Sequence, residues 1–249
     1  MGALVSVTYL VFGYVGVLPT IPTLPVATAF TFDDSFDGNS LDLTRWVVEA
    51  TNAVCCGVGI PATFNVSGGF LNVTVPGGSC GVCGTTDGSI FRPKIAPLVG
   101  DFEMIVSGEE IERLRRGNAA PLSGLDLSIT SGMDRISVSI IGDVVNNSGA
   151  AGHQIYISSV ASGVLDTLNI RQLVIGQYYS FEFRIRRTGA QSYVAYRLVN
   201  EINWTEFVVR QAMAPSLPLV PRISIVSGDG GGTLIDSSLK LRLSSVSIR

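Results

Sequence analysis

Glu110 and Glu112 are the two residues whose spacing comes nearest to a reaction. A pair of carboxylates about 5 Å apart is the apparatus of retaining glycoside hydrolysis, and side chains two positions apart on a strand share a face. The run Glu110-Ile111-Glu112-Arg113-Leu114-Arg115 therefore offers the start of such a pair. Its plainer reading is a solvated charged strand, or two turns of helix, over residues 109–116. The single histidine, His153, follows Gly149-Ala150-Ala151-Gly152 with no second histidine to share a metal, and reads as a surface-loop residue. Gly228-Asp229-Gly230-Gly231-Gly232 lacks the lysine and following helix of a phosphate-cradling loop and reads as a hairpin end. No complete catalytic set is spelled out, and the chain is expected not to be an enzyme.

Binding chemistry has three candidates. The four cysteines fall in two tight pairs, Cys55-Cys56 and Cys80 with Cys83. Adjacent cysteines on a strand point to opposite faces, which opposes both reaching one metal. Disulfides from the first pair to the second are the preferred reading, with a zinc knuckle and reduced thiols left open. Disulfides would place the domain outside a reducing cytosol. Asn65, Asn72, Asn146 and Asn203 head Asn-x-Ser/Thr triplets, which agree with that compartment but arise often by chance.

Asp33, Asp37 and Asn39, with Ser35 and Gly38, follow the opening of a calcium loop, but Thr44 stands at its closing position. Calcium is thus one reading of this turn. The preferred reading is no cofactor and an Asx-type turn bonding its own backbone, with Trp46 packed beneath. For glycan contact, an aromatic platform beside polar groups is needed. Trp204, in Asn203-Trp204-Thr205-Glu206, is the first candidate, with Tyr193 and Tyr196 beside it. Filling the core is the alternative for each.

Strands must carry these residues. Leu71, Val73 and Val75 alternate with Asn72 and Thr74 after a turn at Gly68-Gly69. The same period of two runs through Phe102-Met104-Val106, Leu125-Leu127-Ile129, Ile136-Val138-Ile140 and Phe181-Phe183-Ile185. In the last strand Leu239, Leu241 and Leu243 share a parity that Val246 and Ile248 break, so a bulge is expected near Ser244-Ser245. No long segment has helical periodicity. A dozen or so short strands joined by glycine-rich turns predict an all-β, two-sheet antiparallel sandwich, a single domain over residues 31–249.

Composition bounds the partners. The chain has 249 residues, 46% hydrophobic and 15% charged, with a formal charge of −3. Its pI is about 5.2 and its mean hydropathy +0.40. That balance gives no electrostatic footprint for nucleic acid. Residues 1–30 carry no charged side chain at all. Val5, Val7, Tyr9 and Val11 alternate as in a strand, and Pro19, Pro22 and Pro25 then impose an extended path. A secretory signal is one reading, with Ala27-Thr28-Ala29 as its cleavage site but no basic residue ahead of the apolar run. A membrane span is a weaker one, because glycines and early prolines interrupt the run. The reading carried forward is an N-terminal arm that docks as a strand on its own sheet or a neighbour's.

Two stretches carry a family resemblance. Phe32-Asp33-Asp34-Ser35-Phe36-Asp37-Gly38-Asn39-Ser40-Leu41-Asp42 leads to Trp46, and Gly100-Asp101-Phe102-Glu103 follows about 55 residues later. Together they resemble the opening of concanavalin-like lectin/glucanase domains, the laminin-G-like and glycoside-hydrolase-16-like jelly rolls. The resemblance implies a jelly-roll sandwich and leaves activity open, since the fold serves glycosidases, lectins and inert shells alike. In the hydrolases of that superfamily one strand supplies Glu, Asp two residues on, and a further Glu. Here the third position is Arg115, so no acid protonates the leaving oxygen. In related jelly rolls a calcium ties the opening turn to an Asp of the last strand, where this chain has Leu243-Ser244-Ser245-Val246. The resulting expectation is a non-catalytic structural or assembly protein of an extracellular particle, such as a virion or surface filament. It would self-associate through its arm or bind other structural subunits. A secreted or surface-anchored carbohydrate-binding module is the alternative.

Overall fold

The computed structural model describes residues 31–50, 52–53, 57–58, 61–75, 86–114, 123–145, 151–175, 177–209, 213–228 and 238–249. The arm, with Val5, Val7, Tyr9 and Val11, lies outside the described residues, as do Cys55, Cys56, Cys80 and Cys83.

Alternation of apolar and polar residues becomes strand after strand. In chain order they are β1 (Phe32–Asp34), β2 (Trp46–Ala50), β3 (Asn52–Ala53), β4 (Gly57–Val58), β5 (Thr63–Ser67) and β6 (Phe70–Val75). Then come β7 (Thr86–Pro93), β8 (Phe102–Leu114), β9 (Ser123–Ser131), β10 (Asp134–Val145), β11 (Ala151–Ala161) and β12 (Val164–Leu173). The last five are β13 (Ser180–Thr188), β14 (Gln191–Leu198), β15 (Thr205–Val208), β16 (Val220–Gly228) and β17 (Ser238–Ile248). No helix occurs among the described residues.

Two antiparallel sheets stack. The eight-stranded sheet runs β15-β14-β13-β8-β17-β6-β5, with β1 pairing β17 beyond the end of β6. The seven-stranded sheet runs β12-β11-β10-β9-β16-β7-β2, and β3-β4 form a small separate hairpin. Strands distant in sequence are neighbours in both sheets, which is the jelly-roll signature expected from the sequence. Between the sheets lie Met104 and Val106 of β8, Leu127 and Ile129 of β9, Ile136 and Val138 of β10, and Phe181 and Phe183 of β13. Each such side chain contributes about 1.5–3 kcal/mol on leaving water, and that set is the driving force of the fold.

The expected bulge is present: the register of β17 against β8 slips between Leu243 and Ser245, so Leu239, Leu241, Leu243, Val246 and Ile248 all face inward. A second slip was not anticipated. Lys240 opposes Glu112 while Leu241 opposes Glu110, leaving Ile111 unopposed. Residues 109–114 are therefore strand and not helix: they continue β8 along β17, while the β13 register reaches only to Glu109.

Candidate functional site

Register across the seven-stranded sheet collects small polar residues on its outer face. Ser128, Ser137 and Ser158 line up across β9, β10 and β11. The next row holds Ser224, Asp126, Ser139 and Tyr156 from β16, β9, β10 and β11. These positions alternate with core residues, so the face opposite the core is hydroxyl-rich. Yet Ser128, Ser137, Ser139 and Ser158 are all buried, and the last three line a groove in that face.

The groove has a volume of ≈ 340 Å³ and is lined by Asp126, Arg135, Ser137, Ser139, Tyr156 and Ser158, among others. That volume falls in the range of about 300–1,000 Å³ typical of small-ligand sites. Arg135 forms an ion pair with Asp126 at 2.5 Å, and Ser139 Oγ donates to the same carboxylate at 2.7 Å. Ser137 and Ser158 share a hydrogen bond of 3.1 Å. At one end β9 and β10 approach so closely that a Cβ on Gly124 would lie 1.9 Å from the Ile140 carbonyl oxygen. Only glycine fits there. Chemically the groove offers hydroxyls that both donate and accept, one accepting carboxylate, one donating guanidinium and a phenol ring.

Asp126 is the only carboxylate among the described lining residues, and its charge is already matched by Arg135. The pair suggested by sequence is not there. Glu110 points between the sheets and is 3% exposed, whereas Glu112 faces outward and pairs with Lys240. The unopposed Ile111 flips the parity, so the two acids lie on opposite faces of the eight-stranded sheet and cannot flank one bond.

His153 is also displaced from its expected place. It is no loop residue: it sits on β11, 4% exposed, with Nε2 3.0 Å from Glu110 Oε2. The two atoms are in contact without the alignment of a directed hydrogen bond. The Tyr179 ring meets the His153 ring edge-on at 5.3 Å, and Tyr179 N–H donates to Glu110 Oε2 at 3.3 Å. This cluster joins the two sheets inside the sandwich.

The aromatic candidates lie elsewhere. Tyr196 is 3% exposed and packs inward with Phe207, so it belongs to the core and not to a ligand platform. Tyr193 and Trp204 lie against the outer face of the eight-stranded sheet under guanidinium groups. Arg186 stands 4.0 Å from the Tyr193 ring centre, and Arg184 and Arg197 stand 4.4 and 5.0 Å from that of Trp204. Those arginines join Glu103, Glu182 and Glu206 in a lattice of ion pairs. Hydrogen bonding from Arg186 holds the Glu206 carboxyl below the usual carboxylate range.

The acidic turn closes on itself. Asp34 accepts the Trp46 indole N–H at 2.7 Å and the Phe36 amide at 2.9 Å, and Asp42 takes the Thr44 amide and hydroxyl. Phe32 packs edge-on against Trp46 at 5.2 Å. Ser35 donates to Asp37, and Asp33 pairs through its backbone with Ser247 of β17. The Asx turn and the cap on Trp46 are thus made by Asp34, while Asp37 accepts from Ser35 and Asp33 belongs to β1. Among the described residues no three His, Cys, Asp or Glu side chains gather as a metal site.

The inward placement of three side chains, which the sequence reading did not foresee, shares one signal. Glu110 continues the inward parity of Phe102, Met104 and Val106; His153 shares that of Ile155 and Ile157; Arg187 that of Phe181, Phe183 and Ile185. Arg187, 1% exposed, donates to the carbonyls of Gly100, Leu98, Ala214 and Leu217, and burial pushes its guanidinium pKa down. One further string, Gly77-Gly78-Ser79-Cys80-Gly81, has nucleophile-elbow spacing but lies outside the described residues. An elbow needs a helix after its strand, and none occurs among the described residues.

With strand order and groove in view, the class is clear: the chain has the concanavalin-like lectin/glucanase jelly-roll fold. It is similar to the CBM2 module of the evolved Dit of Lactobacillus casei BL23 phage J-1, with a TM-score of 0.56, 11% identity, and 87% of this chain and 93% of that chain covered. It is similar to basic winged bean lectin, solved with Tn-antigen, with a TM-score of 0.55, 10% identity and 88% and 98% covered. SCLam, a non-specific endo-β-1,3(4)-glucanase of family GH16, gives a TM-score of 0.55 at 10% identity, with 87% and 89% covered. No family model and no curated protein matches the chain. At such identities the likeness is one of fold, and the fold is shared by enzymes and non-enzymes alike.

Proposed function

We propose that this chain is a non-catalytic carbohydrate-binding sandwich, carried on an extracellular particle such as a virion or surface filament. The observation that carries the reading is the groove of the seven-stranded sheet. Its floor of serine hydroxyls, with Asp126, Arg135 and Tyr156, matches the hydroxyl-rich surface and apolar ring faces of a sugar. A lone, ion-paired carboxylate supplies no second acid for hydrolysis. The likeness to a phage carbohydrate-binding module and a lectin agrees with adhesion as the use of the fold.

Attachment is the second part of the reading. Residues 1–30, without one charged side chain, supply an arm that docks on a neighbouring subunit. The test of the sugar reading is retention of the purified chain on insoluble polysaccharides, together with a reducing-end assay. Retention with Asp126→Ala and Tyr156→Ala weakened, and no release of reducing ends, supports it. Release of reducing ends, or retention indifferent to both substitutions, overturns it.

A further inference from the structure

Among the described residues the longest open sheet edge is β12. The other terminal strands of the two sheets are short, four residues in β15 and five each in β2 and β5, whereas β12 has ten. Among the described residues nothing pairs its outer side. Natural edges of that length are blunted by charge, proline or a bulge facing outward, because open N–H and C=O groups recruit further strands. β12 contains only Asp166 and Arg171 as charges, and Arg171 is drawn inward to Glu201 at 2.6 Å, above the Tyr196 ring. Exposed apolar side chains lie along and beyond it: Val164, Leu165 and Ile170, then Val174, Ile175 and Tyr178. Such a row is an interaction surface in want of an occupant.

We infer that β12 is the acceptor edge for residues 4–12 of a second copy, which add to the seven-stranded sheet as an eighth strand. The inference rests on the arm reading and gives it a location. Leu4 to Phe12 contains no charge; Val5, Val7, Tyr9 and Val11 share one strand parity, and Leu4, Ser6, Thr8, Leu10 and Phe12 the other. Backbone pairing supplies the affinity in strand addition, and apolar contacts to Ile170 and Val174 supply the register. Length permits it. The roughly 18 residues between position 12 and Phe32 span about 60 Å when extended, more than the radius of a domain this size. A second copy is the better source on topology. In sequence the arm precedes β1, which belongs to the sheet opposite that of β12.

The experiment places a photo-crosslinking amino acid at Ile170 of the full chain and irradiates a mixture of isotopically heavy and light protein. Crosslinked peptides joining position 170 of one copy to residues 4–12 of the other are expected. In parallel, Val164→Lys with Ile170→Lys, and separately deletion of residues 1–29, should each reduce the assembled fraction at least tenfold in sedimentation. Both variants should keep the unfolding midpoint and polysaccharide retention of the parent, so a failure here is separable from failure of the sugar reading. Crosslinks within one copy, crosslinks between two β12 strands, removal of residues 1–29 from the mature chain, or assembly unchanged by either variant overturns the proposal.

Discussion

Glu110 of β8 and His153 of β11 meet between the two sheets, His153 Nε2 lying 3.0 Å from Glu110 Oε2. The Glu110 side chain has no solvent exposure and that of His153 has 6%. Polar side chains so placed depend on the partners they keep, here His153 and the Tyr179 N–H for Glu110, and removing one member of a buried pair costs about 3–5 kcal/mol. His153→Leu should therefore lower the urea midpoint sharply, while the double substitution Glu110→Leu with His153→Leu should recover most of the loss. A double variant no better than the single one would show that the pair does not act as a unit.

The groove makes a prediction about location. Tyr156→Ala should weaken retention on polysaccharide about tenfold, equivalent to about 1.4 kcal/mol. Trp204→Ala, on the outer face of the other sheet beneath Arg184 and Arg197, should leave retention unchanged. A reversed pattern would move the binding face to the eight-stranded sheet.

Arg187 ties together two loops at one end of the sandwich through backbone carbonyls at 2.6–3.4 Å. Hydrogen bonds to a charged group contribute about 1.5–3 kcal/mol each, and a carbonyl left buried and unbonded is penalised. Arg187→Met keeps much of the volume and removes the donors. It should destabilise the fold by on the order of 3 kcal/mol in a denaturant titration, and an unchanged midpoint would contradict the role.

Glu206 sets a pH dependence. Its carboxyl is held down by hydrogen bonding from Arg186, with Arg184 adding to the effect. A lowered folded-state pKa means stability is present above the unfolded value of about 4.3 and lost as pH falls through the folded one. Between pH 6 and 3 the parent should lose more stability than Glu206→Gln. At neutral pH the variant should be the weaker. Parallel pH profiles would contradict this.

How much of this was legible without coordinates is clearest strand by strand. Period-two alternation marked Leu71 to Val75, Leu125 to Ile129 and Phe181 to Ile185, because a sheet face must be uniformly apolar to be buried. The bulge at Leu243 to Ser245 was legible for the same reason, since a parity break in an apolar strand has few other solutions. The Asx turn above Trp46 was local chemistry and could be read as such.

The site was less accessible. Serines at 137, 139 and 158 look like ordinary wet-face residues one strand at a time, and only cross-strand register assembles them into a groove floor. The slip beside Ile111 depends on β17, which lies more than a hundred residues away, so no local pattern could show that Glu110 and Glu112 part company. The buried polar side chains of Glu110, His153 and Arg187 stood on apolar parity, a signal present in the sequence, but their partners come from other parts of the chain. The sequence by itself determined the strands and which face of each turns inward, because alternation is a local constraint. Only the tertiary structure decided which polar residues meet, because pairing and register between distant strands fix those distances.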